Sequence, residues 1–150
     1  MATDDDCIFC AIAAGTAPSY RVYEDETAVA FLDLAPVREG HTLVIPRRHV
    51  PDVLADEGAL ALADVAQAVH TVGRLLVDVF AADGLSVLQS NGAAAGQVVF
   101  HLHMHLLPRH RGDKSAVGWV RDADAAAVVE QTHARIVRTR ALGDHQADLA

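Results

Sequence analysis

Between Phe100 and Pro108 the chain reads Phe-His-Leu-His-Met-His-Leu-Leu-Pro, with histidines at 101, 103 and 105 and apolar residues between them. Side chains on a β-strand alternate between faces. This spacing therefore puts three imidazoles on one face and Leu102, Met104 and Leu106 on the other. On a helix the middle histidine would swing away from the outer pair. The stretch predicts a strand whose apolar face turns to a core and which ends at Pro108, a residue with no N–H to give a ladder. Three imidazoles in a row sacrifice packing and β-propensity on their own face. Such a strand is built for chemistry, and it needs a sheet to hold it.

The remainder of the chain predicts that sheet. Arg21–Glu24 and Ala28–Leu32 read as short strands around the polar turn Asp25-Glu26-Thr27, and residues 41–46 as a third, β-branched at its centre. The period then changes. Leu62, Val65, Val69, Val72, Leu76 and Val79 recur at alternating steps of three and four, the stripe of an amphipathic helix over about 57–82. Asp56 is placed to cap its start and Gly84 its end. Residues 85–90 return to strand character, and the small-residue loop 91–97 joins them to the histidine strand, so these two lie antiparallel and adjacent. A loop of Asn, Gly, Ala and Gln can bring backbone N–H groups up to a ligand.

A C-terminal helical extension follows at about 119–142. Asp122 or Asp124 caps its helix, which runs to about Arg140 with Val128, Val129, Thr132 and Ile136 inward. His70, His133 and His145 are expected at the surface, residues 109–118 polar and mobile apart from Trp119, and the tail after Gly143 frayed. Without repeats or a linker, residues 1–150 read as a single domain. The fold class is α+β, a mostly antiparallel five-stranded sheet with one long helix and a C-terminal helix.

Charge limits the partners. Twelve Lys and Arg against 20 Asp and Glu give a net charge of −8, which argues against a binder of long nucleic acid. A small anion needs only a local cluster, and Arg47, Arg48, Arg109 and Arg111 flank the histidine segments and could form one. No stretch approaches the run of about 20 apolar residues that a spanning helix needs. The acidic start has the wrong charge for a signal peptide, so a cytoplasmic chain with no membrane contact is expected. In a reducing compartment Cys7 and Cys10 read as a metal half-site or a redox dithiol. Only six residues precede Cys7, too few and too polar for the strand that precedes a dithiol motif, which favours metal. A closed tetrahedral zinc site then needs two further ligands.

His101-Leu102-His103-Met104-His105-Leu106-Leu107 resembles the signature of the histidine triad (HIT) family, His-φ-His-φ-His-φ-φ with φ apolar. Ile8-Phe9, Phe31-Leu32-Asp33, residues 41–46, Asn91-Gly92 and Gly96-Gln97 fall where Hint-like members carry similar residues, so the resemblance covers about 7–108. It implies a nucleotide hydrolase or transferase acting at the α-phosphate of a nucleoside monophosphate conjugate, of phosphoramidate or dinucleoside polyphosphate type. A purine, adenosine foremost, is the implied base, a nucleotidyl-histidine the covalent intermediate, and a homodimer sharing a sheet the implied assembly.

By the same resemblance His103 is the nucleophile, His105 contacts the α-phosphate and His101 completes the catalytic set. Asn91, Gly96, Gln97 and Val98 surround the phosphate, and Asp33 takes the ribose hydroxyls. Ile8, Phe9, Phe31 and Leu34 wall the base, with Leu32 and His41 at the same nucleotide site. Val98 stands where relatives often carry a hydroxyl near the leaving group, which leaves that donor to His105, a water or a dimer partner. The cysteine pair is similar to that of a zinc-bearing bacterial subset and of galactose-1-phosphate uridylyltransferases. There Cys7, Cys10, His49 and His101 match the ligands of one structural zinc per chain. Three alternatives stand beside this reading: a hydrogen-bond chain from His101 to His103, a catalytic metal held by His101, His103 and His105, and a zinc-stabilised nucleotide-binding adaptor with little turnover.

Overall fold

The computed structural model describes residues 6–114 and 119–147. The first five residues, the stretch 115–118 within the expected mobile segment, the last three residues and the side chain of His145 lie outside the described residues. The elements run α1 (Ile8–Ala14), β1 (Arg21–Glu24), β2 (Ala28–Leu32), β3 (Thr42–Pro46), α2 (Gly58–Phe80), β4 (Gly84–Leu88), β5 (Met104–Arg109), α3 (Ala123–Ala127) and α4 (Val129–Ala147), with a 3-10 turn at Ala93–Ala95. The five strands pair antiparallel in the order β1-β2-β3-β5-β4.

The sheet is covered on both faces, which is why β2 and β3 carry no polar alternation. Ala28, Ala30, Leu32 and Val44 pack beneath α2, whose Ala61, Val65, Ala68, Val72, Leu76 and Val79 are buried. The odd-numbered neighbours Val29, Phe31, Leu43 and Ile45 face the other way, against Phe9, Ile12 and Ala13 of α1. His105 pairs with Leu43 and so belongs to the α1 face, while Leu102 and Leu106 sit in the α2 core. The alternation read from the histidine stretch holds.

The strand boundaries do not. β5 begins only at Met104, so His101 and His103 lie on irregular backbone ahead of it. Leu102 N–H there donates to the Val50 carbonyl at 2.7 Å. Nor does Pro108 end the strand, since it pairs with Leu85. The carbonyl of Arg109 accepts from Asp83 N–H on the β4 side, so the nitrogen of Pro108 points to the opposite side. The β3 register closes at Leu106, so no ladder bond is lost there.

Other expectations need correction. Asp56 does not cap α2, whose N-cap is Glu57 with no side-chain bond, and Gly84 opens β4 while Ala81 ends the helix at φ 46°. Leu62 is exposed. By length and composition α2 matches a membrane span, with mean hydropathy 1.3 over its best window, although no such stretch was expected; its buried stripe on the sheet accounts for that composition. The C-terminal helix is two helices broken at Val128, which is exposed. Asp122 caps the first by accepting from the N–H groups of Asp124 and Ala125, and the second runs past Gly143 to Ala147. His133 is partly buried and donates to the Arg21 carbonyl at 2.8 Å. The helix α1 carries no clear sequence signal, being seven residues of Ile, Phe, Cys and Ala closed by Gly15 at φ 77°.

Gly40 delivers the chain to His41 at φ +81°, and a Cβ there would sit 2.6 Å from the Phe80 ring. Gly40→Ala should cost about 1–3 kcal/mol through backbone strain and overpacking, read as a lower urea midpoint. Gly112→Ala, at a similar φ but facing open space, should cost less. Equal losses would show that Phe80 simply moves aside.

Candidate active site and metal centre

Cys7 caps α1 and Cys10 lies one turn later, so both thiols leave the same end of the helix. His49 follows β3 and His101 precedes β5. Cys10 Sγ lies 3.2 Å from His49 Nδ1 and 3.4 Å from His101 Nδ1, and Cys7 Sγ lies 3.5 Å from that same His101 nitrogen. All four donor atoms fall within 4.8 Å of one another. Sulfur and nitrogen ligands around one tetrahedral zinc would stand about 3.3–3.8 Å apart, so these contacts match the edges of a coordination tetrahedron. The Nε2–H of the fully buried His101 ring donates to the Pro46 carbonyl at 2.9 Å, which leaves Nδ1 as the lone pair facing both thiols. Two thiols and two imidazoles are a donor set that fits zinc and leaves no open position.

The three signature rings do not converge on a common centre. The His103 Nδ1–H donates to the backbone carbonyl of His101 at 2.6 Å. The link between these residues thus runs through the peptide, not ring to ring, and neither the ring–ring chain nor a catalytic three-histidine metal site is what the geometry supports. His41 Nδ1 accepts from Val37 N–H at 3.2 Å, and its Nε2 lies 2.9 Å from His105 Nδ1 and 3.6 Å from Asp33 Oδ2.

Protonation follows from burial. Desolvation lowers the pKa of His41, opposed by Asp33 and assisted by His103. It also lowers that of His103, opposed by the His101 carbonyl and Asp33. His105 is pushed down to about 3 by burial, then by His103 and His41. All three are neutral at pH 7, and a neutral imidazole has one N–H and one lone pair. His103 spends its proton on the carbonyl, so its Nε2 is a lone pair. His41 already accepts at Nδ1, so its proton is on Nε2 and is donated to His105. His105 accepts at Nδ1, so its own proton is on Nε2. The site thus sets a bare nitrogen beside an N–H donor, on rings 4.9 Å apart. Asp33, His41 and His105 are also close enough for a metal. Coordination through His41 Nε2 would put its proton on Nδ1, where the Val37 N–H points, so this cluster is a hydrogen-bond relay.

His103 and His105 open onto a cavity of about 580 Å³. Ile8, Phe9, Phe31, Leu32, Asp33, Leu34, His41, Gly96, Gln97 and Val98 all line it. Phe9 stands edge-on to both Phe31 and His103, at 5.5 and 5.3 Å. Two expected phosphate contacts do other work. Asn91 is absent from the lining: its Oδ1 accepts from Val53 N–H and its Nδ2 donates to Gln89. The Gln97 amide is buried and used up, accepting from Gly92 N–H and donating to the Pro51 and Val99 carbonyls, so it braces the loop.

The expected basic cluster does not form. Arg47 pairs with Glu24, Arg48 with Asp64, Arg109 with Asp113 and Arg111 with Asp83, and none lines the cavity. Among the lining residues that the sequence reading did not assign to the site are Trp119, 4.7 Å from the His105 ring, and Arg121. A lone tryptophan in a polar stretch was the only signal.

Comparison with known proteins places these features in context. The HIT domain family matches residues 14–112. The protein named Protein hit from Bacillus subtilis is 46% identical over 121 residues, covering 80% of this chain and 83% of its own. Adenylylsulfatase HINT3 from Arabidopsis thaliana is 38% identical over 109 residues, 73% of this chain and 55% of its own. The crystal structure of a zinc-bound histidine triad family protein from Mycobacterium smegmatis superposes with a TM-score of 0.70 at 36% identity, covering 93% of this chain and 99% of its own.

Burial of a neutral His105 carries a signature in stability. Its folded pKa of about 3 lies below the unfolded value of about 6.5, so between those limits only the unfolded chain takes the proton. Stability should fall with pH below about 6.5, by about 1.4 kcal/mol per pH unit from this residue, and be flat above it. Urea unfolding from about pH 6.5 to about pH 5 should show that extra slope in wild type relative to His105→Gln. Equal slopes would mean that the ring is protonated in the fold.

Proposed function

Because the chain belongs to the HIT domain family, we propose that it is a nucleotidyl hydrolase or transferase. Its substrate would be a nucleoside monophosphate conjugate of phosphoramidate or dinucleoside polyphosphate type, with adenosine as the base, cleaved at the α-phosphate through His103. One observation carries the reading: the His101 carbonyl takes the Nδ1 proton of His103 and leaves a nucleophilic Nε2 at the cavity wall. That nitrogen attacks phosphorus as the bond to the leaving group breaks, a departing amine taking its proton from solvent water, and a second water then cleaves the phosphorus–nitrogen bond to free the nucleoside monophosphate and the ring. His105, its proton fixed on Nε2 by His41, donates to the charge that grows on the phosphoryl oxygens. With Val98 offering no hydroxyl, the same N–H is the ring donor nearest the leaving group. Asp33 suits the ribose hydroxyls, and Ile8, Phe9, Phe31 and Leu34 offer the base an apolar slot. The names of relatives support hydrolase chemistry at this kind of site: one is an adenylylsulfatase, and a solved relative from Clostridium thermocellum is a HIT family hydrolase.

Cys7, Cys10, His49 and His101 would hold one structural zinc. Bound there, the ion would cross-link α1 to the backbone ahead of β5 and would supply structural support, the four donors leaving no open position for substrate. A homodimer is the proposed assembly. β4 is a sheet edge, and Val87, Val98 and Phe100 on and near it are exposed, Val98 at 83%.

Release of AMP from adenosine 5′-phosphoramidate tests the chemistry. His103→Ala should lose at least about a thousandfold in kcat while keeping about one zinc per chain, because nothing nearby replaces covalent attack. A variant that keeps most of the activity would overturn the assignment. Wild type that binds AMP without turnover would instead favour the adaptor reading. For the metal, Cys7→Ser should lose zinc and unfold at lower urea; native protein purified with free thiols and no metal would contradict the site.

A further inference from the structure

Helix α1 belongs to two sites at once. In its first turn Cys7 and Cys10 turn their thiols to His101, and Cys10 also to His49, while Ile8 and Phe9 between them line the cavity. Ile12, one turn on from Ile8, continues the same wall. The Phe9 ring stands edge-on to His101 at 5.9 Å and to His103 at 5.3 Å, so a single side chain packs on a candidate metal ligand and on the candidate nucleophile. Ligands and wall interleave along residues 7–10, and neither set can shift without the other.

The two ends of α1 are fastened differently. At the C-terminal end Gly15 closes the helix at φ 77°, and the guanidinium groups of Arg21 and Arg47 donate to the Ile12 and Ala13 carbonyls at 2.6 and 2.9 Å. At the N-terminal end Cys7 makes no side-chain cap bond, and the first turn carries no acidic residue. A helix of seven residues has little stability of its own. Its first turn is therefore held by the buried Phe9 ring and by the contacts of the two sulfurs. Ile8, the other slot residue there, is 52% exposed, an apolar surface that a base in the cavity would cover. Metal and base would thus each fix the same turn, and once one has fixed it the other binds at a lower entropic cost.

We propose that the metal centre and the base slot are thermodynamically coupled through the first turn of α1. Zinc on Cys7, Cys10, His49 and His101 tightens nucleotide binding, and nucleotide tightens zinc by the same factor. This rests on the nucleotide and metal readings above, and it makes occupancy of the metal centre a control on the affinity of the nucleotide site. The coupling passes through Ile8 and Phe9. Leu34 lines the cavity from the loop after β2, so its contact with a base lies outside the coupled turn.

Competition between zinc-loaded protein and a chromophoric chelator measures the factor, without AMP and with AMP held at the same high multiple of its Kd for each variant. AMP should tighten zinc by about tenfold in wild type, within the range usual for coupled sites. Titration calorimetry should show AMP weakened by the same factor when zinc is removed. Ile8→Ala should cut the factor below about threefold, because the base then loses its exposed contact on α1. Leu34→Ala should weaken AMP equally with and without zinc and keep the full factor. Both side chains are more than half exposed, Leu34 at 62%, so these variants should fold as wild type does. A wild-type zinc affinity that AMP leaves within about twofold would overturn the coupling. So would one factor shared by all three proteins, which would mean that AMP stabilises the whole fold. No AMP binding by zinc-loaded protein would instead defeat the nucleotide reading, and protein that takes up no zinc would defeat the metal reading.

Discussion

The His101 carbonyl accepts the Nδ1–H of His103 at 2.6 Å, and what fixes that carbonyl is the grip on the His101 ring. One ring nitrogen faces Cys7 and Cys10, and the other donates to Pro46 at the end of β3. Ring and carbonyl belong to one residue, so the cluster that joins α1 to the sheet also sets which nitrogen of His103 carries its proton. The irregular backbone from 98 to 103 needs this anchor, because β5 takes over only at Met104.

The second constraint is dryness. A protonated imidazole at any of positions 41, 103 or 105 would sit in poor solvent beside two other rings, so burial keeps all three neutral. Neutral rings can be read unambiguously once one backbone group chooses a side. The Val37 N–H chooses for His41 and the His101 carbonyl for His103, and the choice at His41 passes on to His105. Among the described residues no buried side-chain nitrogen or oxygen lacks a partner, so the network is satisfied before any ligand arrives. Two residues expected at the phosphate, Asn91 and Gln97, are spent on that task.

Much of this was legible because period carries geometry. The alternation at 101–105 gave the faces of Leu102 and Leu106, and the three–four stripe gave α2 and the core beneath it. The Cys7–Cys10 spacing pointed to metal. What escaped was set by tertiary contact. Pro108 sits inside a strand because β3 stops short of it, a fact about a neighbouring strand rather than about proline. The arginines near the histidines looked like an anion patch because their acidic partners, Glu24, Asp64, Asp83 and Asp113, are distant or unremarkable in sequence. The tautomer relay depends on one backbone N–H, which no side-chain pattern reports. Trp119 and Arg121 join the site only because the chain after β5 returns over the cavity.

The central claim is a distribution of protons, and long-range ¹H–¹⁵N correlation spectra of histidine-labelled, zinc-loaded protein near neutral pH measure it directly. The structure requires His103 as the Nδ1–H tautomer and His41 and His105 as Nε2–H tautomers, all neutral. Finding His103 protonated at Nε2, or as an imidazolium, would leave no lone pair at the cavity wall and would contradict the account.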